Sequence, residues 1–158
     1  MLCDKDVFRR SSNSLGEVYL IMIRQGFSIG NRDWWVMAYY DIGLNELRFV
    51  ADDLSAAGAS ESTTDEFVSV LSGIDCGFTF TNMEQHVTVI CIGRASSYDE
   101  MFSTITHEIK HATEHMGGYY GVDPNSEESA YLQGEIAKHM YKAVAMSICP
   151  KCGENILH

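Results

Sequence analysis

Apolar and polar positions alternate most regularly in the second half of the chain. Ser97-x-x-Glu100 has the spacing of a capping box, in which the two residues satisfy each other's backbone N–H groups. A helix is therefore predicted over about 98–116, with Met101, Phe102, Ile105, Ile109, Ala112 and Met116 on one apolar face. Gly117-Gly118 reads as its stop. Asp123-Pro124 opens a second helix, predicted over about 125–147, with proline in the first turn where its missing N–H costs nothing. On that helix Ala130, Gly134, Ala137, Tyr141, Val144, Ala145 and Ile148 form a face of mostly small residues, suited to close packing against the helix before it.

The first half reads as strands with a helix inserted. Residues 17–23 are apolar and β-branched and fit a strand or the last turns of a helix. Trp34–Tyr40, a turn over 41–46 and Leu47–Val50 predict a hairpin. Thr64-Asp65-Glu66 opens a helix through Leu71, with its acidic residues well placed in the first turn. Phe78–Phe80 predicts a short strand, and Val87–Ile92 (VTVICI) is the strongest strand signal in the chain. The elements describe a single α+β domain over residues 1–147 and a C-terminal tail over 148–158.

Composition narrows the partners. The chain has 158 residues, 46% of them hydrophobic, which suits one domain with a substantial core. Its apolar runs, Val18–Ile23 and Trp34–Tyr40 among them, are too short to span a bilayer. Eleven Lys and Arg against 22 Asp and Glu leave a formal charge of −11. A field of that sign repels phosphate backbones and anionic lipid surfaces, so neither nucleic acid nor membrane is an expected partner. The stretch between Arg48 and Arg94 contains no Lys or Arg at all, which reads as a solvated acidic surface and weakly favours a basic or unfolded peptide as substrate.

Five cysteines make an odd count, and a reducing, cytoplasmic location is expected over a disulfide framework. Cys91, inside an apolar run, reads as a small core residue. Cys149-Pro-Lys-Cys152-Gly has the shape of half a zinc knuckle and is a candidate for a second, structural zinc ion.

The motif that carries chemistry is His107-Glu108-Ile109-Lys110-His111. Histidines four apart stack on one helical face, so both imidazoles can reach one metal ion, with Glu108 beside them as general base toward a bound water. The helical wheel sets both histidines off the apolar face and Glu108 at its border. A catalytic zinc wants a third protein ligand, and His115, Glu127 and Glu128 are the candidates. His115 stands two turns, roughly 12 Å, from His107 on a straight helix, too far to share one tetrahedral ion. Glu127 lies at the edge of the small-residue face and is favoured. Glu128, on the polar stripe, is the alternative. Tyr119, Tyr120, Tyr131, His115 and His139 are each able to supply an electrophile for the oxyanion.

These residues resemble a family. His107-Glu108-x-x-His111, a short connection and Glu127-x-x-Ala130-Tyr131-Leu132 on a second helix are similar to the compact gluzincin-type zinc metallopeptidases, including small metallopeptidase-like proteins of bacteria and their phages. SprT-like proteases, which join HExxH to a C-terminal zinc segment, are a weaker likeness. The resemblance covers about residues 87–146. It implies a zincin-like fold, a small mixed or antiparallel sheet with residues 87–92 as the edge strand packed on the HExxH helix. It also implies zinc held by His107, His111 and Glu127, Glu108 as base, and a peptide or protein substrate bound along that edge strand by β-addition. A zincin scaffold serving as a non-catalytic interaction or assembly protein is the alternative. Such a module has no need of Glu108.

Overall fold

The computed structural model describes residues 22–30 and 32–146. Most of the segment 17–23 and the whole of the 148–158 tail, with Cys149 and Cys152, lie outside the described residues. Eight elements follow one another: β1 (Ile23–Ser28), β2 (Trp35–Ile42), α1 (Leu47–Ala56), α2 (Glu61–Leu71), β3 (Gly77–Asn82), β4 (Val87–Gly93), α3 (Tyr98–Tyr120) and α4 (Glu127–Met146). The four strands make one mixed sheet in the order β1-β2-β4-β3. β2 and β4 run parallel, and each outer strand is antiparallel to its neighbour. The α+β class with a small mixed sheet is therefore as expected.

Two apolar layers sandwich the sheet. On one face Val36, Ala38, Tyr40, Ile90 and Ile92 meet Met101, Ile105, Ile109 and Ala112 of α3 and Leu132, Ile136 and Met140 of α4. On the other, Tyr39, Val89 and Cys91 meet Val50 and Leu54 of α1 and Phe67 and Leu71 of α2. Cys91 is the core residue its surroundings in the sequence suggested, and burial, with the carboxylates of Glu108 and Asp53 adding to it, pushes its thiol well up from the ordinary range. No helix among the described residues is long and apolar enough to cross a membrane.

The position of β4 corrects the expectation that residues 87–92 form the sheet's edge. Val87–Cys91 pair with Trp35–Tyr39 on one side and with Phe78–Asn82 on the other. A strand covered on both faces reads as a continuous apolar run, whereas an edge strand keeps polar positions. VTVICI is of the first kind and GFTFTN, β3, of the second. The strongest strand signal thus marks the middle of the sheet, and β3, like β1, is an edge.

Further expectations differ: α2 begins at Glu61 with Ser60 as its cap, and Pro124 lies in the turn before α4 rather than in its first turn. Leu47–Val50 does not close a hairpin but opens α1, because Leu47, Val50 and Leu54 recur at helical spacing and bury together. α3 does not stop at Gly117-Gly118. It runs to Tyr120 and ends at Gly121, the residue in the left-handed conformation (φ 70°), while Gly117 is buried and its carbonyl accepts a hydrogen bond from the Val122 N–H at 2.8 Å. On α4 the small-residue face points largely to solvent, with Ala130, Gly134, Tyr141 and Ala145 exposed. The helix buries Leu132, Ile136, Met140, Ala143 and Val144 instead, since larger side chains remove more apolar area from water.

β2 carries a local irregularity with a consequence for stability. Its pairing register shifts between Tyr39 and Ile42, and Asp41 sits in the left-handed region with φ 59°. The extra residue flips the alternation, so that Ile42 joins the α1–α2 layer although Val36, Ala38 and Tyr40 face α3. Asp41 is buried, and its Oδ2 is, among the described residues, the buried side-chain polar atom left without a hydrogen-bond partner. Burial raises its carboxyl above the usual range, Arg94 opposing and Glu46 assisting. A carboxyl raised in the folded state costs stability once the pH exceeds its unfolded value. Asp41→Asn, which keeps the shape and tolerates positive φ, is expected to stabilise the fold by about 1 kcal/mol at pH 7. The gain should vanish below about pH 4 in denaturant titrations run across that range.

Candidate functional site

α3 starts where the sequence said it would. The Ser97 side chain accepts a hydrogen bond from the Glu100 backbone N–H at 3.2 Å, and Asp99 and Glu100 lie in the first turn, where the helix dipole favours them. The helix then lies across β4 and β3, with its apolar stripe on the sheet. Thr104, Glu108 and His115 line the flank that meets β3, and His107 and His111 follow on the solvent side of that flank.

His107 and His111 meet as their spacing requires. Their Nε2 atoms are 3.0 Å apart and their rings stand nearly edge to face, 4.6 Å between centroids. Two imidazole nitrogens bound to one tetrahedral zinc, each at about 2.0–2.1 Å, are separated by roughly 3.3 Å. The observed separation is a few tenths of an ångström shorter than that spacing and is that of a hydrogen bond in which one imidazole donates to the other.

Glu108 faces β3 rather than bulk water. It is 4% exposed, and its Oε2 accepts a hydrogen bond from the Thr79 hydroxyl at 2.7 Å. Gly77, at the start of β3, makes room for it. A Cβ built there lies 2.5 Å from Glu108 Cγ and 2.6 Å from Oε1. The carboxylate is thus pinned between a hydroxyl and a strand backbone at the margin of the sheet.

His115, one turn beyond His111, is half-buried with its ring 6.3 Å from that of His111. Its Nδ1 lies 3.0 Å from the Thr81 hydroxyl. Burial pushes its pKa down from the ordinary value, His111 adding to the effect and Glu114 opposing it. On the exposed side, Lys110 forms an ion pair with Glu114 and holds that carboxyl below the usual range.

The two glutamates stand elsewhere. α3 continues nine residues past His111 before the connection 121–126 turns the chain, about 14 Å of additional helix. Glu127 is exposed in the first turn of α4, beyond that connection. Glu128 Oε1 binds the Arg32 guanidinium at 2.6 Å, and Arg32 lies over the Tyr120 ring at 4.8 Å. Glu128 thereby fastens the head of α4 to the β1–β2 connection. Among the described residues no group of three or more His, Cys, Asp or Glu is placed to hold a metal ion. The structure brings His107 and His111 together, turns the Glu108 carboxylate to Thr79 on β3, and leaves Glu127 and Glu128 in the first turn of α4.

Several residues of this flank were not singled out from the sequence: Gly77, Thr79, Thr81, Thr88 and Trp34. The available signal was GFTFTN, in which threonines alternate with phenylalanines. The phenylalanines face the α1–α2 layer, where Phe78 packs on Phe67, and the threonines face α3. Comparison of the chain with family models, with curated proteins and with solved structures finds no match.

Gly77→Ala tests the pinning of Glu108. The added methyl must push the carboxylate off Thr79, at a stability cost of about 1–3 kcal/mol. The Glu108 side-chain carboxyl resonance should shift, while the His107–His111 pair should keep its geometry.

Proposed function

We propose that the protein is a zinc-dependent hydrolase of peptide bonds whose reaction centre is the flank of α3 beside β3. The observation that carries this reading is the 3.0 Å approach of the His107 and His111 Nε2 atoms next to a glutamate buried against an edge strand. The resemblance to gluzincin-type metallopeptidases supports it, and so does the element order, in which an antiparallel edge strand, a central strand and the HExxH helix follow in succession. His107 and His111 would hold the ion, which when bound supplies Lewis-acid polarisation of a water and a carbonyl. In this arrangement Glu127 and Glu128 are not partners of the pair.

The chain's own residues perform the rest. Glu108 takes a proton from the attacking water, whose oxygen bonds to the carbonyl carbon. It then passes that proton to the departing amine nitrogen as the C–N bond breaks. Thr79 holds the carboxylate in place for both transfers. The substrate backbone cannot add to β4, whose two edges are already paired. β3 has a single strand neighbour, so an extended peptide laid beside α3 would pair there. The interaction-module alternative assigns no chemistry to Glu108, which the hydrolase reading uses as its base.

Metal analysis of the purified chain is expected to give about one zinc per chain, and His107→Ala or His111→Ala should abolish it. Loading of Cys149 and Cys152 would raise the native count to about two and leave one zinc in those variants. Glu108→Gln should retain the zinc and lower casein cleavage by about 100-fold or more. Cleavage that persists in this variant removes Glu108 from the mechanism, and a chain that takes up no zinc on addition removes the reading as a whole.

A further inference from the structure

A line of hydrogen bonds runs through the sheet to His115. Trp34, 1% exposed, donates its indole N–H to the Thr88 hydroxyl at 2.9 Å. Thr88, fully buried, lies 3.1 Å from the Thr81 hydroxyl, and Thr81 lies 3.0 Å from His115 Nδ1. The direction of this line follows from its first member. An indole nitrogen is a donor only, so Thr88 accepts from it. The Thr88 proton then has one partner, the Thr81 oxygen, and leaving a buried hydroxyl proton unpaired is costly. The Thr81 proton has, among the described residues, His115 Nδ1 as its remaining partner, and Thr81 donates to it. The imidazole therefore accepts at Nδ1 and, when neutral, carries its proton on Nε2, on the side of the ring turned away from Thr81.

Threonines at two positions and a tryptophan N–H are an expensive way to build an apolar core. Valine fills the same volume without a hydroxyl to satisfy, and the other side chains of β4 are apolar. Nothing else among the described residues uses these hydroxyls. Their joint effect is to fix one proton on one imidazole, one helical turn from His111.

We propose that His115 donates its Nε2–H to the substrate's carbonyl oxygen as negative charge develops there, and that Trp34, Thr88 and Thr81 are the positioning residues that keep the proton on that nitrogen. This rests on the hydrolase reading above and assigns the electrophile that the reading lacks. His115 stands one turn beyond His111, with its ring 6.3 Å from the His111 ring. A donor whose proton is already placed needs no reorganisation when the oxyanion forms. The step moves no proton from His115. It contributes a hydrogen bond while Glu108 carries the proton between water and amine.

The test uses the full chain, zinc-loaded and labelled with 15N. Long-range 1H–15N correlation should show His115 with Nδ1 unprotonated and Nε2 protonated. The opposite tautomer overturns the proposal. Thr81→Val should erase this preference and lower kcat on casein by about tenfold, with KM and zinc content unchanged, and Thr81→Ser should restore both. His115→Phe should lower kcat by about 100-fold, in the range seen when one oxyanion donor is removed. His115→Gln, which keeps an N–H donor, should recover part of that loss. Zinc-dependent cleavage that is indifferent to His115→Phe overturns this proposal and leaves the hydrolase reading standing. A chain that neither binds zinc nor cleaves casein overturns the hydrolase reading and the catalytic role of His115 with it.

Discussion

β4 is enclosed on every side. Its backbone pairs with β2 along one edge and β3 along the other, Ile90 and Ile92 press into α3 and α4, and Val89 and Cys91 press into the α1–α2 layer. Residues 88–93 are consequently buried without a break. Each neighbour of β4 is placed by this burial. The parallel pairing with β2 obliges the chain to cross from one strand to the other through α1, α2 and β3, and α3, which leaves β4 within a few residues, has the adjacent sheet face as its nearest apolar surface.

The site follows from that enclosure. Because β4 is inside, β3 is outside, and its polar alternate positions come to lie under the one flank of α3 that the core does not claim. Thr79 and Gly77 then receive Glu108, and Thr81 receives His115. The far end of α3 is fixed by a different set of contacts. Trp34 stacks on His86, Tyr119 and Tyr120 meet Trp34 edge-on, and His86 bonds the Tyr119 hydroxyl at 2.8 Å. Trp34 thus serves both the anchor of the helix and the polar line that ends at His115.

Much of this was legible in the residues. The capping serine of α3, the strand at β4, the α+β class and the meeting of His107 with His111 all depend on spacing within one element, and local geometry decides them. Where the reading went astray, the deciding contact came from elsewhere in the chain. Gly117-Gly118 has the composition of a stop, yet the aromatic cluster around Trp34 holds the helix through Tyr120. The small-residue face of α4 had the spacing of a packing surface, but Leu132, Ile136 and Met140 offered more area to the same core. Leu47–Val50 fits either period over so short a span, and packing against Phe67 and Leu71 chose the helix.

The sequence by itself determined the chemistry present on α3: two imidazoles one turn apart with a carboxylate beside them, because 3.6 residues per turn leaves no other arrangement. Only the tertiary structure decided what that chemistry faces. Which strand lies at the edge, which hydroxyls meet Glu108 and His115, and how far α4 begins from the histidine pair all depend on the order in which strands pair. No periodicity within a single element encodes that order. It is set by the competition of whole apolar faces for one core.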